Sequence, residues 1–218
     1  MEPVTLTTER LVLRPFAPAD VDAVHGACQD AAVQRWTQVP SPYRREDAEY
    51  FVERVCPEGW QQDTRYNFGS FTRDGGRLVS SIGLVGLALM PGEQRTAEVG
   101  YWTAPGQRGR GYTAEALRAV ARWAFTACGA DRLEWYAEVG NEGSRAVARR
   151  AGFTMEGTLR SRVLHRGTRR DAWAGSLLPS DLGLPSRLPY LPADGGPDGA
   201  ADGGPDGAAD GGPGAVPR

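Results

Sequence analysis

Residues 107–113, Gln-Arg-Gly-Arg-Gly-Tyr-Thr, constrain the fold of this chain more than any other stretch, because they join a strand pattern to a helix pattern. Residues 97–105 are typical of a strand, and Pro105 ends it. From Ala114 onward, apolar residues recur at helical spacing until Gly129. Backbone N–H groups at the start of a helix lack intrahelical partners and carry partial positive charge. This arrangement therefore predicts an anion site, and phosphate suits it.

Four residues of this turn are suited to contact a phosphate. Gly109 and Gly111 allow the backbone to approach an anion closely, and Arg108 and Arg110 can donate charge-assisted hydrogen bonds. The chain contains no lysine, which excludes the GxxxxGK[ST] phosphate loop. A dinucleotide fingerprint matches only weakly, since Glu138 is a poor candidate for its acidic residue. A nucleotide-binding domain nevertheless stays open as an alternative.

Composition limits the class of protein. The 218 residues allow one domain with a substantial core. A net charge of −2 gives no reason to expect nucleic acid or a membrane as partner. Three widely spaced cysteines predict reduced thiols, and two histidines are too few for a histidine-rich metal site, so no metal is expected. The start of the chain has no secretory-signal pattern, so a cytoplasmic location is expected.

The C-terminal residues have a different composition from the rest. From Ala193 the octad Ala-Asp-Gly-Gly-Pro-Asp-Gly-Ala occurs twice, followed by a truncated third copy. A unit without apolar residues larger than alanine cannot bury enough surface to offset its ordering entropy. We therefore predict a folded domain over residues 1–180 and a disordered tail rich in proline, glycine and aspartate over 181–218.

Hydrophobic patterns elsewhere predict an alternation of strands and helices. The expected strands are 6–16, 67–72, 78–89, 97–105, 132–139, 154–164 and 171–178, and the expected helices begin near residues 18, 45, 112 and 144. Residues 36–43 contain two prolines and two aromatic residues, which indicates a loop. Residues 93–96 are expected to form a turn.

Two motifs resemble those of the GNAT superfamily of N-acetyltransferases. Arg108-x-x-Gly111-x-Thr113 is similar to the family's R/Q-x-x-G-x-G/A loop, although threonine replaces the usual small last residue. Residues 141–153 resemble the N-x-x-S-x-x-[VL]-x-x-[KR]-x-G-F motif of the Rim-type branch, which acetylates ribosomal proteins. The resemblance extends over roughly residues 5–178. It implies an α/β fold: a central, twisted, mixed sheet flanked by helices, with strands 97–105 and 133–139 diverging to admit acetyl-coenzyme A.

The resemblance also implies a set of cofactor-binding residues. In the family the loop binds the pyrophosphate, the asparagine matched by Asn141 binds the pantetheine arm, and the serine matched by Ser144 lies near the thioester sulfur. We expect a strand N–H near Trp102 or Thr103 to contact the thioester carbonyl. The predicted cofactor residues are Trp102, Thr103, Arg108, Gly109, Arg110, Gly111, Tyr112, Thr113, Asn141 and Ser144.

Two residues are candidates for catalysis. Ser144 could protonate the departing thiolate, although Asn141 and Ser144 could equally serve only to end a strand and cap a helix. Glu98 could accept the proton of the amine, since some GNAT members use a glutamate on this strand, but it could instead be a surface carboxylate in a salt bridge. The resemblance to the Rim-type branch also suggests an acid in the penultimate strand, as in some of its members, but this chain has Val163 there.

For the acceptor site we expect Trp36, Tyr43 and Tyr66, although such aromatic residues could also be core. His165 is expected to be exposed in a hairpin turn. The predicted activity is transfer of an acetyl group from acetyl-coenzyme A to a primary amine, either a protein N-terminus or a small molecule, by direct attack in a ternary complex. A non-catalytic acyl-coenzyme A-binding module and a longer donor such as succinyl-coenzyme A stay open, as does the choice between monomer and homodimer.

Overall fold

A computed structural model describes residues 1–86 and 95–193. The chain divides into a compact unit, Met1–Arg187, and a second unit, Leu188–Arg218. The compact unit includes residues 181–187, with Leu182 buried in the core, so it extends past the predicted boundary at residue 180. Three predicted features lie outside the described residues: the end of the strand at 78–89, the start of the turn at 93–96, and the octads.

The strands and helices follow the predicted order. The strands are β1 (Leu6–Thr7), β2 (Leu11–Arg14), β3 (Arg65–Thr72), β4 (Leu78–Val85), β5 (Thr96–Thr103), β6 (Arg132–Glu138), β7 (Thr154–His165) and β8 (Thr168–Leu177). The helices are α1 (Val21–Cys28), α2 (Ala31–Trp36), α3 (Arg45–Tyr50), α4 (Cys56–Gln61), α5 (Tyr112–Thr126) and α6 (Glu142–Ala151). The sequence predicts a helix that begins near residue 45. A π-helical turn, Phe51–Val55, joins α3 to α4, so this helical stretch continues to Gln61 and is longer than expected.

The described strands form one twisted sheet in the order β1-β2-β3-β4-β5-β6-β8-β7. Among them β5 and β6 are the parallel pair, and the helix α5 connects them, as a parallel crossover requires. Their pairing begins at Thr96 with Arg132 and ends at Val99 with Trp135, although both strands continue. The mixed sheet and the predicted divergence of these two strands are therefore confirmed.

Two apolar clusters hold the helices against the sheet. One contains the buried face of α5, including Leu117 and Val120, together with Phe68 of β3. The other contains Val24 of α1 and Val52 of the π-helical turn. Successive residues of a strand point to opposite faces, so one strand can contribute to both clusters. β3 does so, with Phe68 in the first cluster and Phe71 in the second. Within residues 1–86 and 95–193, no helix is both long and apolar enough to cross a membrane.

Candidate active site

The loop before α5 forms a cradle of backbone N–H groups. Gly109 and Gly111 have φ values of +76° and +75°, in the left-handed region that glycine adopts without strain. Gly111 is the N-cap residue of α5, and its carbonyl accepts the first helical hydrogen bond, from Glu115, at 3.1 Å. The N–H groups of the first turn of α5 are therefore left without helical acceptors, and the positive end of the helix faces the loop.

Thr113 explains the departure from the family's loop pattern. Its hydroxyl lies 2.7 Å from the hydroxyl of Thr103, and the residue is buried. The extra atoms of threonine, compared with glycine or alanine, are thus used to fasten α5 to β5.

Three arginines lie in or next to this loop, and the structure places them differently. Arg108 is paired with Asp30, the N-cap residue of α2, at 2.6 Å, and this contact holds the pKa of Asp30 below its usual range. Arg150 of α6 lies over the loop, since a Cβ built on Gly111 would be 3.2 Å from its guanidinium carbon. Arg110 is exposed and does not line the adjoining cleft, so the loop and α6 bring Arg108 and Arg150 to the cleft and leave Arg110 outside.

A cleft of about 570 Å³ lies between this loop, α2 and the start of α6. It contains nearly all of the predicted cofactor residues: Trp102, Thr103, Arg108, Gly109, Gly111, Tyr112, Thr113, Asn141 and Ser144. The donors fit a pyrophosphate, because free N–H groups, glycines in the left-handed conformation and two guanidinium groups surround the same space. We call this space the donor cleft.

The diverging edge of β5 presents unpaired backbone groups. The N–H of Ala104 donates to Val79 at 2.8 Å, and the alternation of an antiparallel ladder then directs the N–H of Trp102 toward β4. The N–H groups of Tyr101 and Thr103 consequently face the opening between β5 and β6. Of the two strand amides predicted to contact a carbonyl, Thr103 fits and Trp102 does not, since its amide belongs to the ladder.

Ser144 lies at the centre of a small hydrogen-bond network. Its N–H donates to Asn141 Oδ1 at 3.2 Å, and its hydroxyl accepts from Trp135 Nε1 at 3.0 Å. The same hydroxyl donates to the Tyr101 hydroxyl at 3.3 Å, and Tyr101 in turn donates to the Ser144 carbonyl at 2.8 Å. Burial raises the pKa of Tyr101, so this phenol keeps its proton. The network fixes the position of the Ser144 hydroxyl and places it beside the protonated phenol of Tyr101.

A second cleft, of about 700 Å³, lies on the other side of the opening. We call it the acceptor cleft. The two clefts share six residues of their walls, which are Trp36, Thr37, Tyr101, Trp102, Asn141 and Ser144. Trp36 thus lies where the two clefts meet. The buried Tyr43 lines the acceptor cleft but not the donor cleft.

Tyr66 does not reach this cleft, so its predicted role in acceptor binding is wrong. It is 0% exposed, its ring lies 4.7 Å from that of Trp60, and its hydroxyl donates to Asp63. Strand alternation is the reason, because β3 directs Tyr66 toward the α5 side of the sheet and Asn67 toward the cleft. Asn67, which sequence reasoning missed, lines the cleft and is 5% exposed.

Glu98 lines the acceptor cleft with a half-exposed side chain. Burial raises the pKa of its carboxyl above the ordinary value, Arg162 opposes that increase, and Glu134 adds to it. Arg162 is 3.9 Å away, near the limit for an ion pair. Glu98 can therefore accept a proton more readily than an ordinary surface carboxylate.

The far end of the acceptor cleft is fastened by charged side chains. Arg35 of α2 contacts both carboxylate oxygens of Glu138, at 2.6 and 3.0 Å, and the pKa of Glu138 is lowered by this contact. His165 lies 3.4 Å from Glu138 and is only 10% exposed, so the expectation that it is exposed is wrong. The β7–β8 hairpin packs back onto α2, where Arg166 donates to the Gln34 carbonyl at 2.8 Å.

Sequence reasoning missed several residues of the site. Arg150 occupies the [KR] position of the motif that named Asn141 and Ser144, so the motif itself could have indicated it. Tyr101 is adjacent to the predicted Trp102 and could have been found by asking which face of β5 meets α6. No sequence pattern indicated Trp135, because its contact with Ser144 depends on how α6 follows the end of β6.

Comparison with known proteins agrees with this geometry. A sequence model described as the acetyltransferase (GNAT) domain matches residues 10–154. The N-acetyltransferase YoaA of Bacillus subtilis (strain 168), itself uncharacterized, is 28% identical over 166 residues, which is 76% of this chain and 92% of YoaA.

Solved structures share the fold. Mycobacterium smegmatis RimJ, in complex with a coenzyme A disulfide, superimposes with a TM-score of 0.71 at 21% identity, over 84% of this chain and 92% of RimJ. MccE, a microcin C7 self-immunity acetyltransferase in complex with acetyl-coenzyme A and AMP, gives 0.68 at 18% identity, over 78% of this chain and 93% of MccE.

Proposed function

The chain belongs to the GNAT acetyltransferase family, and on that premise we propose that an acetyl group passes from acetyl-coenzyme A to a primary amine where its donor and acceptor clefts meet. The observation that carries this proposal is the shared wall. Tyr101, Trp102, Asn141 and Ser144 border both clefts, so a donor and an amine bound side by side would meet at these residues. Bringing two reactants together in this way accounts for much of the catalysis in such reactions.

The donor cleft supplies the contacts for the cofactor. The N–H groups at the start of α5, together with Arg150, hold the pyrophosphate. Arg108 joins them by exchanging its contact with Asp30 for one with a phosphate oxygen. Acetyl-coenzyme A, when bound, supplies an activated thioester. Asn141 would contact the pantetheine arm, and the outward-facing N–H of Thr103 would stabilise the carbonyl oxygen.

Protons are moved by residues on either side of the opening. Glu98 accepts a proton from the incoming ammonium, directly or through water, and its raised pKa makes it a better proton acceptor than an ordinary surface carboxylate. On the thiolate side, Ser144 would pass its hydroxyl proton to the leaving sulfur and take a proton back from solvent, with Tyr101 holding the hydroxyl in position.

Attack is direct, without an acyl-enzyme. Burial raises the pKa of all three thiols to about 12, so none is an activated nucleophile, although Cys28 borders the acceptor cleft. Three free, buried cysteines also support our proposal of a cytoplasmic location.

The proposal is tested first by cofactor binding. The melting temperature of the full chain is measured with acetyl-coenzyme A, succinyl-coenzyme A, NAD and ATP, because a ligand that binds the native state raises it by mass action. We expect the largest increase with acetyl-coenzyme A, and amine-dependent release of thiol in a second assay. An increase with NAD or ATP alone would refute the donor site, and binding without thiol release would favour a non-catalytic acyl-coenzyme A-binding module.

A matched pair of variants tests the assignment of Arg150. Arg149 and Arg150 are both exposed residues of α6, but only Arg150 lines the donor cleft. Arg150→Gln removes a charge-assisted contact worth about 1.5–3 kcal/mol, so we expect acetyl-coenzyme A to bind at least about 10-fold more weakly. Arg149→Gln is the control. Equal losses in the two variants would indicate a general effect of charge and contradict the assignment.

A further inference from the structure

A bulge in β7 directs one arginine into the acceptor cleft. Leu159 pairs with Ala172 and Val163 with Arg170, so three residues, 160–162, oppose a single residue of β8. Ser161 in the middle has a φ of +56°, which is uncommon for a residue other than glycine. Its N–H donates to the Asp171 carboxylate at 2.8 Å, which holds the bulge in place. Bulges of this kind change the direction of a side chain and are frequent next to active sites.

Arg162, the last residue of the bulge, is placed over the floor of the cleft. Its guanidinium carbon lies 4.3 Å from the centre of the Tyr136 ring, a cation–π contact that orients the planar group. Its nearest carboxylate is Glu98, at 3.9 Å. That distance is too long for a hydrogen bond, so both charged groups keep capacity for a ligand.

The other carboxylates of the cleft are already engaged. Asp47 accepts a hydrogen bond from the Arg44 N–H at 2.7 Å, and Glu138 is held by Arg35 at 2.6 Å. Glu98 and Arg162 are thus two opposite charges side by side, each about half exposed at 44% and 46%. The rest of the lining is mixed, with apolar side chains such as Phe51 and Trp102 and with polar ones that include Asn67 and Arg65.

We propose that Arg162 selects acceptors that carry a carboxylate close to the reacting amine, with free α-amino acids as the simplest members of the class. This inference rests on the proposed acetyl transfer. The ammonium group of such an acceptor lies against Glu98, where it loses its proton, and the carboxylate accepts two hydrogen bonds from the Arg162 guanidinium. A pair of opposite charges about 4 Å apart is the electrostatic complement of a zwitterion.

The test compares matched acceptors that differ at one group. Alanine, leucine and phenylalanine are each assayed beside the corresponding amino-acid amide and the corresponding amine that lacks the carboxylate, by thiol release from acetyl-coenzyme A. We expect kcat/KM for the acids to exceed that for the amines by about 10- to 100-fold, the usual effect of a hydrogen-bonded charge pair. The amides have less basic amino groups, which favours them chemically, so a preference for the acids is a stringent result.

Two variants assign the preference to Arg162. In Arg162→Gln the acids and the plain amines should become substrates of similar kcat/KM. Arg160→Gln, which removes the same charge from an exposed residue of the same bulge that does not line the cleft, should keep the preference. A binding measurement supports the kinetic one: the increase in melting temperature caused by the preferred amino acid, in the presence of coenzyme A, should disappear in Arg162→Gln.

Three results would overturn the inference. Amides or plain amines could be acetylated as well as the acids, which would favour a peptide N-terminus or a simple amine as acceptor. The preference for acids could survive in Arg162→Gln. The panel could also give no turnover while acetyl-coenzyme A raises the melting temperature, and this last result would reject the acceptor class and leave the donor site standing.

Discussion

Replacing Gly111 by alanine tests how the phosphate cradle is built. Gly111 has a φ of +75°, and a methyl group on it would lie 3.2 Å from the Arg150 guanidinium. Gly109 in the same loop has nearly the same φ, +76°, but a methyl group there would meet nothing within 4 Å. Gly106 has open space as well and no left-handed φ. The three glycines thus separate backbone strain from contact with Arg150.

The expected magnitudes follow from these differences. An alanine in the left-handed region costs roughly 1–2 kcal/mol, of which about 0.4–1 kcal/mol is offset because alanine restricts the unfolded chain. Gly109→Ala and Gly111→Ala should therefore each lower the free energy of unfolding by about 1 kcal/mol, or the melting temperature by about 2–4 °C. Gly106→Ala adds no strain, so the same restriction of the unfolded chain should raise the free energy of unfolding by about 0.4–1 kcal/mol. The guanidinium is a flexible end, so its displacement in Gly111→Ala should weaken cofactor binding more than stability.

The assays are urea denaturation for stability and titration with acetyl-coenzyme A for binding. A double-mutant cycle with Arg150→Gln isolates the contact, because Gly111→Ala should weaken binding much less when Arg150 is already absent. Equal stability of the variants at 106 and 111 would refute the argument from backbone conformation. Additive effects of Gly111→Ala and Arg150→Gln on binding would refute the proposed displacement of the guanidinium.

Three further substitutions have defined outcomes. Glu98→Gln should lower kcat/KM by about 100-fold or more at neutral pH, and in the unmodified protein kcat/KM should fall as the pH drops below the raised pKa of Glu98. The raised pKa of Glu98 means that the folded protein holds this proton more tightly than the unfolded chain does, and the resulting stabilisation is lost as the pH rises from the unfolded-state pKa through the folded-state pKa. Across that range the melting temperature of Glu98→Gln should rise relative to that of the parent, and above it the difference should stay constant. Ser144→Ala should reduce kcat by about 10-fold or more without changing acetyl-coenzyme A binding, and an unchanged kcat would leave the Ser144 hydroxyl only its structural contacts with Trp135 and Tyr101. Asp30→Asn keeps an oxygen that caps α2 by accepting from the Val33 N–H, but it removes the charge paired with Arg108. Calorimetry should therefore show tighter binding of acetyl-coenzyme A. Unchanged or weaker binding would contradict the proposal that Arg108 exchanges Asp30 for a phosphate.

The parts of the site that sequence predicted are those built from neighbours along the chain. Gly109 and Gly111 precede a helix start, and Asn141 stands three residues before Ser144, as an N-cap residue does. Such motifs can be recognised locally because the hydrogen bonds they make span only a few residues. Their roles in catalysis are still predictions.

The parts that sequence could not predict depend on which faces of the sheet are covered. Tyr66 and Asn67 are adjacent and equally compatible with a strand, and alternation guarantees only that they point in opposite directions. Which of them reaches the cleft is decided by the side on which α5 packs. A preference for aromatic residues in binding sites selected Tyr66, whereas the buried face also needed an aromatic residue to fill the space beside Trp60.

Ion pairs between distant residues were equally inaccessible. Arg108 and Asp30 are 78 positions apart, and Arg35 and Glu138 are 103 apart. The sequence contains many arginines and carboxylates, so no pattern indicates which ones pair. For Arg108 this matters directly, because a residue predicted to bind phosphate is held by a carboxylate in the protein itself.

The short ladder between β5 and β6 has a mechanical consequence. Only residues Thr96–Val99 of one strand pair with Arg132–Trp135 of the other, while each half of the sheet is continuous on its own side. The sheet therefore resembles two leaves joined along a hinge of four residues, with the unpaired amides of Tyr101 and Thr103 at the open end. An extended pantetheine arm that accepted their hydrogen bonds would take the place of a neighbouring strand. Bound in this way, the cofactor would complete the sheet as well as supply the reactive group.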